Sequence, residues 1–154
     1  MERSLFRHTT RIRVRNYEID WQGIVHNAIY LLYFETGRLE YLRHIGVNVD
    51  LSGIRNESRV IVARNEVNYK SSAKFDDLLD ISTRISYIRN TSFAFEGIIE
   101  ENSTRRLIAE NVSVHVWLDP QSGSPVRVND DFRGLVRSFE GNSVLIDPGP
   151  ARMA

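Results

Sequence analysis

One short segment holds the residues that could do chemistry: Asp20, then Gly23, then the pair His26-Asn27, directly ahead of an apolar run with helical character. A helix N-terminus offers unpaired main-chain N–H groups and a partial positive charge. A carbonyl oxygen pointed at those groups would be polarised, as in an oxyanion hole. Gly23 would let that carbonyl approach the backbone closely. Asp20 could then act as a general base on water, or attack the carbonyl itself.

The same spacing also has a purely structural interpretation. Asp20 and Asn27 could do no more than cap the helix and complement its dipole. Taken alone, the spacing favours capping over chemistry. These residues therefore do not define a catalytic site by themselves.

The surrounding pattern predicts an α+β domain in which one helix follows the first strand. Alternation predicts a strand over 10–17, and a helical pattern runs from about Asn27 to His44, with Gly46 as its C-terminal stop. Period-two alternation then predicts four long antiparallel strands joined by turns, at 59–70, 77–89, 92–101 and 105–119. A sheet of this length has one apolar object to wrap, which is the helix.

The predicted helix changes character along its length. Its first half, AIYLLYF, is apolar on nearly every side and is expected to be buried all round. Its second half is amphipathic, and we place Arg38 and Arg43 away from its apolar side. Residues 130–139 are predicted to form a short helix that ends a single domain spanning 1–139. Residues 140–154 contain several Gly and Pro and are expected to form a flexible C-terminal tail.

Composition narrows the possible chemistry. The chain has 154 residues, enough for one domain, and its 20 basic and 20 acidic residues cancel. No overall field therefore attracts nucleic acid or an anionic membrane, and no apolar stretch predicts a signal core or a membrane span. The absence of cysteine excludes disulfides and thiolate catalysis and favours a cytoplasmic location. The four histidines are scattered, so we expect no metal, and His115 is expected to be a hydrogen-bonded structural residue.

The segment around Asp20 closely resembles the signature of the 4-hydroxybenzoyl-CoA thioesterase-like branch of the hotdog superfamily. The matching residues are Asp-x-x-Gly-Ile-Val-His-Asn at 20–27, followed by Tyr30, Phe34-Glu35, Arg38 and Tyr41-Leu42. Weaker matches follow in the expected order at Tyr69, 73–77 and 89–93. Together they cover residues 10 to about 130, which is most of the chain.

The resemblance implies a hotdog fold, in which a five-stranded antiparallel sheet wraps around one long central helix. It also implies homo-oligomers, dimers or tetramers, with active sites at the subunit interface. In such enzymes the carboxylate that matches Asp20 is catalytic, and the main-chain N–H that matches Asn27 holds the thioester oxygen. His26 adjoins both and could orient Asp20 or the water. Some relatives carry histidine at the position of Asn27, so the role of His26 stays open.

Coenzyme A carries phosphates, which arginine binds well. The resemblance places Arg89, Thr91 and Ser92 in a hairpin that approaches the pantetheine arm in relatives. Arg64 in the second strand could serve instead. Its neighbours two and four positions on are also polar and face the same way, so a buried or interfacial polar network there is an equal interpretation.

We therefore predict a thioesterase that hydrolyses an acyl-CoA to a free acid and CoA, with CoA as part of the substrate and no further cofactor. Two alternatives stay open: an acyl-carrier-protein thioesterase, and a non-catalytic hotdog protein that binds acyl-CoA. An intact aspartate at the catalytic position argues against the non-catalytic alternative.

Overall fold

One strand and one long helix precede four further strands, as the alternating patterns predict. A computed structural model describes residues 1–49 and 59–149. Helix α1 spans Ile29–Ile45 and helix α2 spans Asp130–Glu140. The strands are β1 His8–Arg13, β2 Arg59–Tyr69, β3 Leu78–Ile88, β4 Ser92–Glu101, β5 Leu107–Leu118 and β6 Leu145–Ile146.

Strands β2 to β5 and both helices begin and end within two residues of their predicted limits. Strand β1 ends earlier than predicted because Asn16–Glu18 form a 3-10 turn. The predicted stop at Gly46 is confirmed, since this residue adopts a left-handed conformation with φ 96° at the C-cap of α1. In the part of the chain that the structure describes, no helix is long and apolar enough to span a membrane.

The five long strands form one antiparallel sheet in the order β1-β3-β4-β5-β2. Strands β3, β4 and β5 are joined as consecutive hairpins, whereas β1 and β2 lie at opposite edges. Helix α1 lies between β1 and β2 in the chain, so it carries the chain from one edge of the sheet to the other. This is the sheet and helix that the hotdog resemblance implies.

Helix α1 packs against β1, β3 and β4 through one buried face. That face comprises Tyr30, Tyr33, Phe34, Gly37, Arg38, Tyr41 and Ile45, at helical spacings of three and four. Gly37 marks a very close approach to the sheet, because an added Cβ would lie 2.6 Å from Cγ2 of Ile81 and 2.7 Å from Oγ1 of Thr83.

The opposite face of α1 is uncovered, and two predictions about the helix are therefore wrong. The run AIYLLYF is not buried all round, because Leu31 is 39% and Leu32 is 55% exposed. Arg38 does not lie away from the apolar side with Arg43, because it shares the buried face with Ile45. It is only 8% exposed and lies on the buried face. The sheet covers one side of the helix, so hydrophobicity in the apolar half does not decide which side that is.

Strand β5 turns its polar residues inward. Asn111, Ser113 and His115 are buried on the face that the helix covers, while the alternating valines are half-buried on the outer face. Gly97 pairs with Asn111, and an added Cβ there would lie 2.7 Å from the ring of Phe34, which fixes the inner face of this strand pair. A hydropathy pattern alone would predict the reverse.

The segment after α2 is more ordered than the predicted tail at 140–154. Glu140 is fully buried, and its Oε1 accepts hydrogen bonds from the Tyr41 hydroxyl (2.7 Å) and the Ile85 N–H (3.1 Å). Residues Leu145 and Ile146 then pair in parallel with the end of β3. Residues 150–154 of the predicted tail lie outside the described residues.

The close contact at Gly37 predicts that Gly37→Ala destabilises the fold. The methyl group would overlap Ile81 and Thr83, and such overpacking costs about 1–3 kcal/mol in the free energy of unfolding. Gly134→Ala is the matched control, because Gly134 in α2 has open space at its Cβ and alanine favours helix there by up to about 1 kcal/mol. Chemical denaturation at fixed protein concentration measures both changes. A Gly37→Ala protein as stable as the parent would contradict the packing described.

Candidate active site

Asp20 lies in a tight hairpin between β1 and α1. Ile19 and Val25 form a β-bridge, the Asp20 N–H donates to the Ile24 carbonyl (2.8 Å), and Oδ1 of Asp20 accepts from the Gln22 N–H (2.8 Å). Gly23 closes the turn with φ 81°, a conformation that favours glycine, and space around its Cα is open. The turn thus holds the carboxylate by one oxygen, at a half-exposed position.

A buried glutamate anchors this hairpin to the helix. Glu18 accepts hydrogen bonds at Oε1 from the Arg15 N–H (2.7 Å) and the Tyr33 hydroxyl (3.0 Å). Burial, and then the charge of Glu18, raise the pKa of Tyr33. The Glu18 carbonyl also accepts from the His26 N–H (2.9 Å). The two arms of the hairpin are therefore fixed relative to α1.

The capping interpretation of Asp20 and Asn27 is wrong for the described residues. The N-cap of α1 is Ala28, which makes no side-chain cap, and the Asp20 carboxylate is engaged within its own turn. His26 satisfies the helix start instead: its Nδ1 accepts from the Ala28 N–H (3.0 Å) and its carbonyl from the Ile29 N–H (2.9 Å). Since Nδ1 accepts, the neutral ring carries its proton on Nε2.

These contacts leave the main-chain N–H of Asn27 free. The His26 carbonyl points into the helix, and in a trans peptide the following N–H points the opposite way. The Asn27 N–H accordingly points outward from the helix start, with no acceptor among the residues described. The next peptide is held as well, because the Tyr69 hydroxyl donates to the Asn27 carbonyl (2.9 Å). The result is a fixed, exposed donor at the positive end of a helix.

The geometry brings together Asp20, Gly23, His26 and Asn27 on one hairpin, as the spacing predicts. The structure records no hydrogen bond or ion pair between the His26 and Asp20 side chains in the described chain. A role of His26 in orienting Asp20 stays a prediction. What the structure adds is that its ring accepts from the Ala28 N–H and so holds the peptide that follows Asn27 at the start of the helix.

The predicted CoA-binding hairpin lies far from Asp20 within one subunit. Arg89, Thr91 and Ser92 follow the C-terminal end of β3, whereas the Asp20 turn contacts residues 73–74 before its N-terminal end. Ten strand steps of about 3.3 Å separate the two ends by roughly 30 Å. The side chain of Arg89 lies over the Tyr87 ring, 4.8 Å from its centroid. These residues could meet Asp20 only across a subunit interface.

Arg64 forms the polar network that was the equal interpretation of this position. It donates to Glu66 (2.6 Å), and Asn68 donates to the other oxygen of Glu66 (3.2 Å). These contacts lower the pKa of Glu66. The network is exposed on β2.

A groove beside the Asp20 hairpin holds arginines that the sequence analysis did not single out. It is open, measures about 540 Å³, and is lined in part by Arg11, Arg13, Arg15, Tyr17 and Phe75. Arg11 and Arg13 pair with Asp80 and Asp76, and Arg15 donates to the Tyr17 hydroxyl. The signal was present in the sequence, because TRIRVR places arginine at every second residue.

A cavity of about 480 Å³ opens along the C-terminal half of α1, between the helix, β2, β5 and α2. Its walls are aromatic and aliphatic, including Phe93, Phe95 and Trp117, and they contain two buried basic side chains, Arg38 and His115. His115 stacks on Phe93 with 5.4 Å between ring centroids and bonds Ser113 through Nε2 (3.0 Å). Its predicted role as a hydrogen-bonded residue matches these contacts.

Arg38 is the unusual member of this cavity. It makes no hydrogen bond or ion pair with any residue that the structure describes, and its Nη1 is completely buried. Burial lowers the pKa of Arg38, and the nearby Glu35 opposes that shift. In the described residues no group of three or more His, Asp or Glu side chains could hold a metal ion.

Comparison with known proteins places the fold and this hairpin in one family. The family model described as the thioesterase-like superfamily matches residues 14–136. The chain therefore belongs to the thioesterase-like superfamily.

Individual relatives agree with this assignment. The chain is 31% identical over 125 residues to the acyl-CoA thioester hydrolase YbgC of Escherichia coli O6:H1, covering 81% of this chain and 90% of that protein. It is 30% identical over 132 residues to the chloroplastic acyl-acyl carrier protein thioesterase ATL3 of Arabidopsis thaliana, and the match covers 86% of this chain and 68% of that protein. A thioesterase from Thermus thermophilus, solved with coenzyme A and Zn, superposes with a TM-score of 0.77 at 28% identity. The superposition covers 88% of this chain and 96% of that protein.

The buried state of His115 predicts an acid-dependent loss of stability. Burial, and then the charge of Arg38, lower the pKa of His115 from 6.5 to about 4. Between these two pH values the unfolded chain binds more protons than the folded one, so the free energy of unfolding decreases as the pH falls. The decrease attributable to this residue is at most about 3 kcal/mol.

His115→Gln removes the titrating group and tests this prediction. The free energy of unfolding is measured by denaturation at several pH values from 7.5 down to 4, and it should fall less steeply with pH in the variant than in the parent. If the free energy fell equally steeply in both proteins, His115 would not be held neutral in the folded protein.

Proposed function

We propose that this protein hydrolyses an acyl thioester, with acyl-CoA as the substrate, Asp20 as general base or nucleophile, and the Asn27 N–H as the donor to the carbonyl oxygen. Two acyl-CoA thioester hydrolases among the relatives, YbgC and the FadM protein of Escherichia coli, support this substrate class. The observation that carries the proposal is the uncommitted, outward N–H of Asn27 on the same hairpin as Asp20.

The arrangement can perform hydrolysis without further groups. With the thioester oxygen on the Asn27 N–H, a water molecule gives a proton to the Asp20 carboxylate and its oxygen bonds to the carbonyl carbon. The tetrahedral oxyanion collapses, the carbon–sulfur bond breaks, and the thiolate takes up the proton. Direct attack by Asp20 would instead break the carbon–sulfur bond, release the thiolate and form an anhydride; water then opens the anhydride to the free acid and the Asp20 carboxylate, and its released proton goes to the thiolate.

Rigid positioning supports the role of the Asn27 N–H. A donor contributes most when it is already aimed at the developing charge, because nothing then reorganises during the reaction. The Ile29 N–H holds the carbonyl of the peptide that carries this N–H, and the His26 ring and the Tyr69 hydroxyl both hold the peptide after it. A single such donor is worth about 3 kcal/mol of activation free energy in acyl transfer.

The carrier of the acyl group distinguishes two versions of this activity. One similar protein is named for acyl-acyl carrier protein and another for acyl-CoA. The groove with Arg13 and Arg15 next to the Asp20 hairpin would suit the phosphates of CoA. Hydrolysis rates for one acyl group on CoA and on an acyl carrier protein would separate the two substrates.

We also propose that the active form is a homo-oligomer paired through β2. This edge strand is exposed on both faces over almost all of its 11 residues, and Val60, Ile61 and Val62 are among the exposed ones. A long apolar edge strand is a ready template for pairing with another chain. Pairing there would also bring a second subunit close to the uncovered face of α1.

Asp20→Asn should lower kcat for acyl-CoA hydrolysis by about 10²–10⁴-fold, the usual worth of a general base, and more if Asp20 is the nucleophile. Asparagine keeps an oxygen that can accept from the Gln22 N–H, so the turn and the oligomer should not change. Release of the free CoA thiol measures the rate.

Asp119→Asn is the matched control, since Asp119 also lies half-buried in a turn and its Oδ1 accepts from the N–H two residues on, that of Gln121 (2.8 Å). Its activity should equal that of the parent. If Asp20→Asn hydrolysed its best acyl-CoA as fast as the parent, Asp20 would have no role in the reaction.

Ile61→Lys tests the edge pairing. A charge on the apolar part of β2 should prevent pairing, so the molar mass measured by light scattering should fall from that of an oligomer to that of a single chain. Thioesterase activity should fall with it. Leu145→Lys serves as control, because Leu145 is 73% exposed on β6, away from β2. A parent protein that is monomeric at micromolar concentration would refute the pairing.

A further inference from the structure

The cavity along α1 contains a charged group with no partner. Arg38 carries five N–H donors, is 8% exposed, and makes no hydrogen bond with any described residue. Buried donors without acceptors cost free energy, and more so when they are charged. A group with this cost needs an acceptor that the described chain does not supply, and the side chain lines a cavity large enough for a small molecule.

The nearest described residues do not supply Arg38 with a hydrogen-bond acceptor. Glu35 is close enough to influence Arg38 electrostatically, but it forms no ion pair with it. His115, the other buried polar side chain at the cavity, already bonds Ser113. The remaining wall is largely aromatic and aliphatic, including Phe93, Trp117 and Leu42. An apolar chamber with one unsatisfied guanidinium fits an apolar ligand that carries an oxygen acceptor at one point.

The helix connects this cavity to the proposed oxyanion donor. Leu31, Leu32, Glu35 and Leu39 follow one another along the helix and share one side of α1. The leucines are exposed, and Glu35 and Leu39 already line the cavity. The eleven residues from Asn27 to Arg38 correspond to about 16 Å along the helix. An acyl chain whose carbonyl sits at Asn27 would run down this apolar track to reach Arg38.

We propose, building on the thioesterase function, that the preferred substrates are long-chain acyl thioesters with an oxygen function, hydroxyl or carboxylate, at the far end of the acyl chain. Arg38 binds that oxygen and determines specificity. It takes no part in the bond-breaking step. The walls of Phe93, Phe95 and Trp117 exclude water around the contact.

The first experiment compares substrates on the unaltered protein. Values of kcat/KM are measured over a length series of ω-hydroxyacyl-CoA, ω-carboxyacyl-CoA and unsubstituted acyl-CoA. At the length that reaches Arg38, at least one oxygenated series should be preferred by about tenfold or more, the worth of one hydrogen bond to a charged donor. The better oxygenated series identifies the end group. Equal values for all three series at every length would overturn the proposal.

Two variants assign the preference to a residue. Arg38→Met keeps an unbranched side chain and removes the donors, so the preference for oxygenated chains over unsubstituted chains should vanish. Arg43→Met is the matched control, because Arg43 lies on the exposed face of the same helix and pairs with Glu40. Arg43→Met should keep the preference of the parent. Loss in both variants, or in neither, would contradict the role of Arg38.

A binding measurement separates this proposal from the proposed function and needs no folded Arg38 variant. Trp117 lines the cavity, so its fluorescence should change when a free ω-hydroxy or ω-carboxy fatty acid binds, and Trp117→Phe should remove that signal. The oxygenated acid should bind more tightly than the unsubstituted acid of equal length. A protein that hydrolyses acyl-CoA yet binds both acids equally would refute the cavity assignment alone. A protein with this binding preference but no Asp20-dependent hydrolysis would refute the thioesterase proposal alone.

Discussion

One helix is too narrow to cover a five-stranded sheet, and the main features of this protein follow from that mismatch. Five strands at about 4.8 Å spacing span roughly 19 Å, whereas a helix with its side chains is about 10–12 Å across. Helix α1 lies over β1, β3 and β4 and leaves β2 uncovered on both faces. The side of α1 that faces the uncovered strands therefore borders a cavity, and its leucines stay in contact with solvent.

Main-chain geometry, more than side-chain identity, prepares the candidate site. The free N–H of Asn27 exists because the carbonyl of the same peptide is drawn into the helix by Ile29. The His26 ring and the Tyr69 hydroxyl then hold the two ends of the peptide that follows it. Glu18 binds the hairpin to Tyr33 and so ties the position of Asp20 to that of α1. The side chain of Asn27 makes no hydrogen bond to a described residue, so the donor depends on the backbone and not on the identity of residue 27.

Sequence patterns predict the elements well and the neighbours of each residue poorly. The period of two locates β2 to β5 within two residues, because strand pairing depends on local alternation. The helical run could not reveal its covered side, since AIYLLYF is apolar in all directions, and the prediction that Arg38 lies away from the apolar side is wrong for that reason. Strand β5 misleads for the same reason, because its inward residues are Asn111, Ser113 and His115.

The site residues divide along the same line. Asp20, Gly23, His26 and Asn27 are close in sequence, so spacing alone could bring them together. Arg89 and Arg38 depend on long-range geometry: the first follows the far end of β3, and the second lines a cavity whose other walls come from β5 and α2. The predicted tail begins at Glu140, a buried carboxylate whose partners Tyr41 and Ile85 are 99 and 55 residues away in the chain.

Two unsatisfied donors lie along helix α1, and their difference in environment suggests how they divide the work. The Asn27 N–H is exposed, so water satisfies it until a ligand replaces that water. The Arg38 guanidinium is almost completely buried, so water can satisfy little of it, and its cost to the folded state is correspondingly larger. Binding energy at Arg38 does not depend on how the thioester carbon changes during reaction, and it therefore favours one substrate over another without lowering the chemical barrier. In the proposed reaction, binding at the Asn27 N–H strengthens as negative charge develops on the oxygen and so lowers that barrier. Specificity and rate are thus assigned to opposite ends of one apolar track.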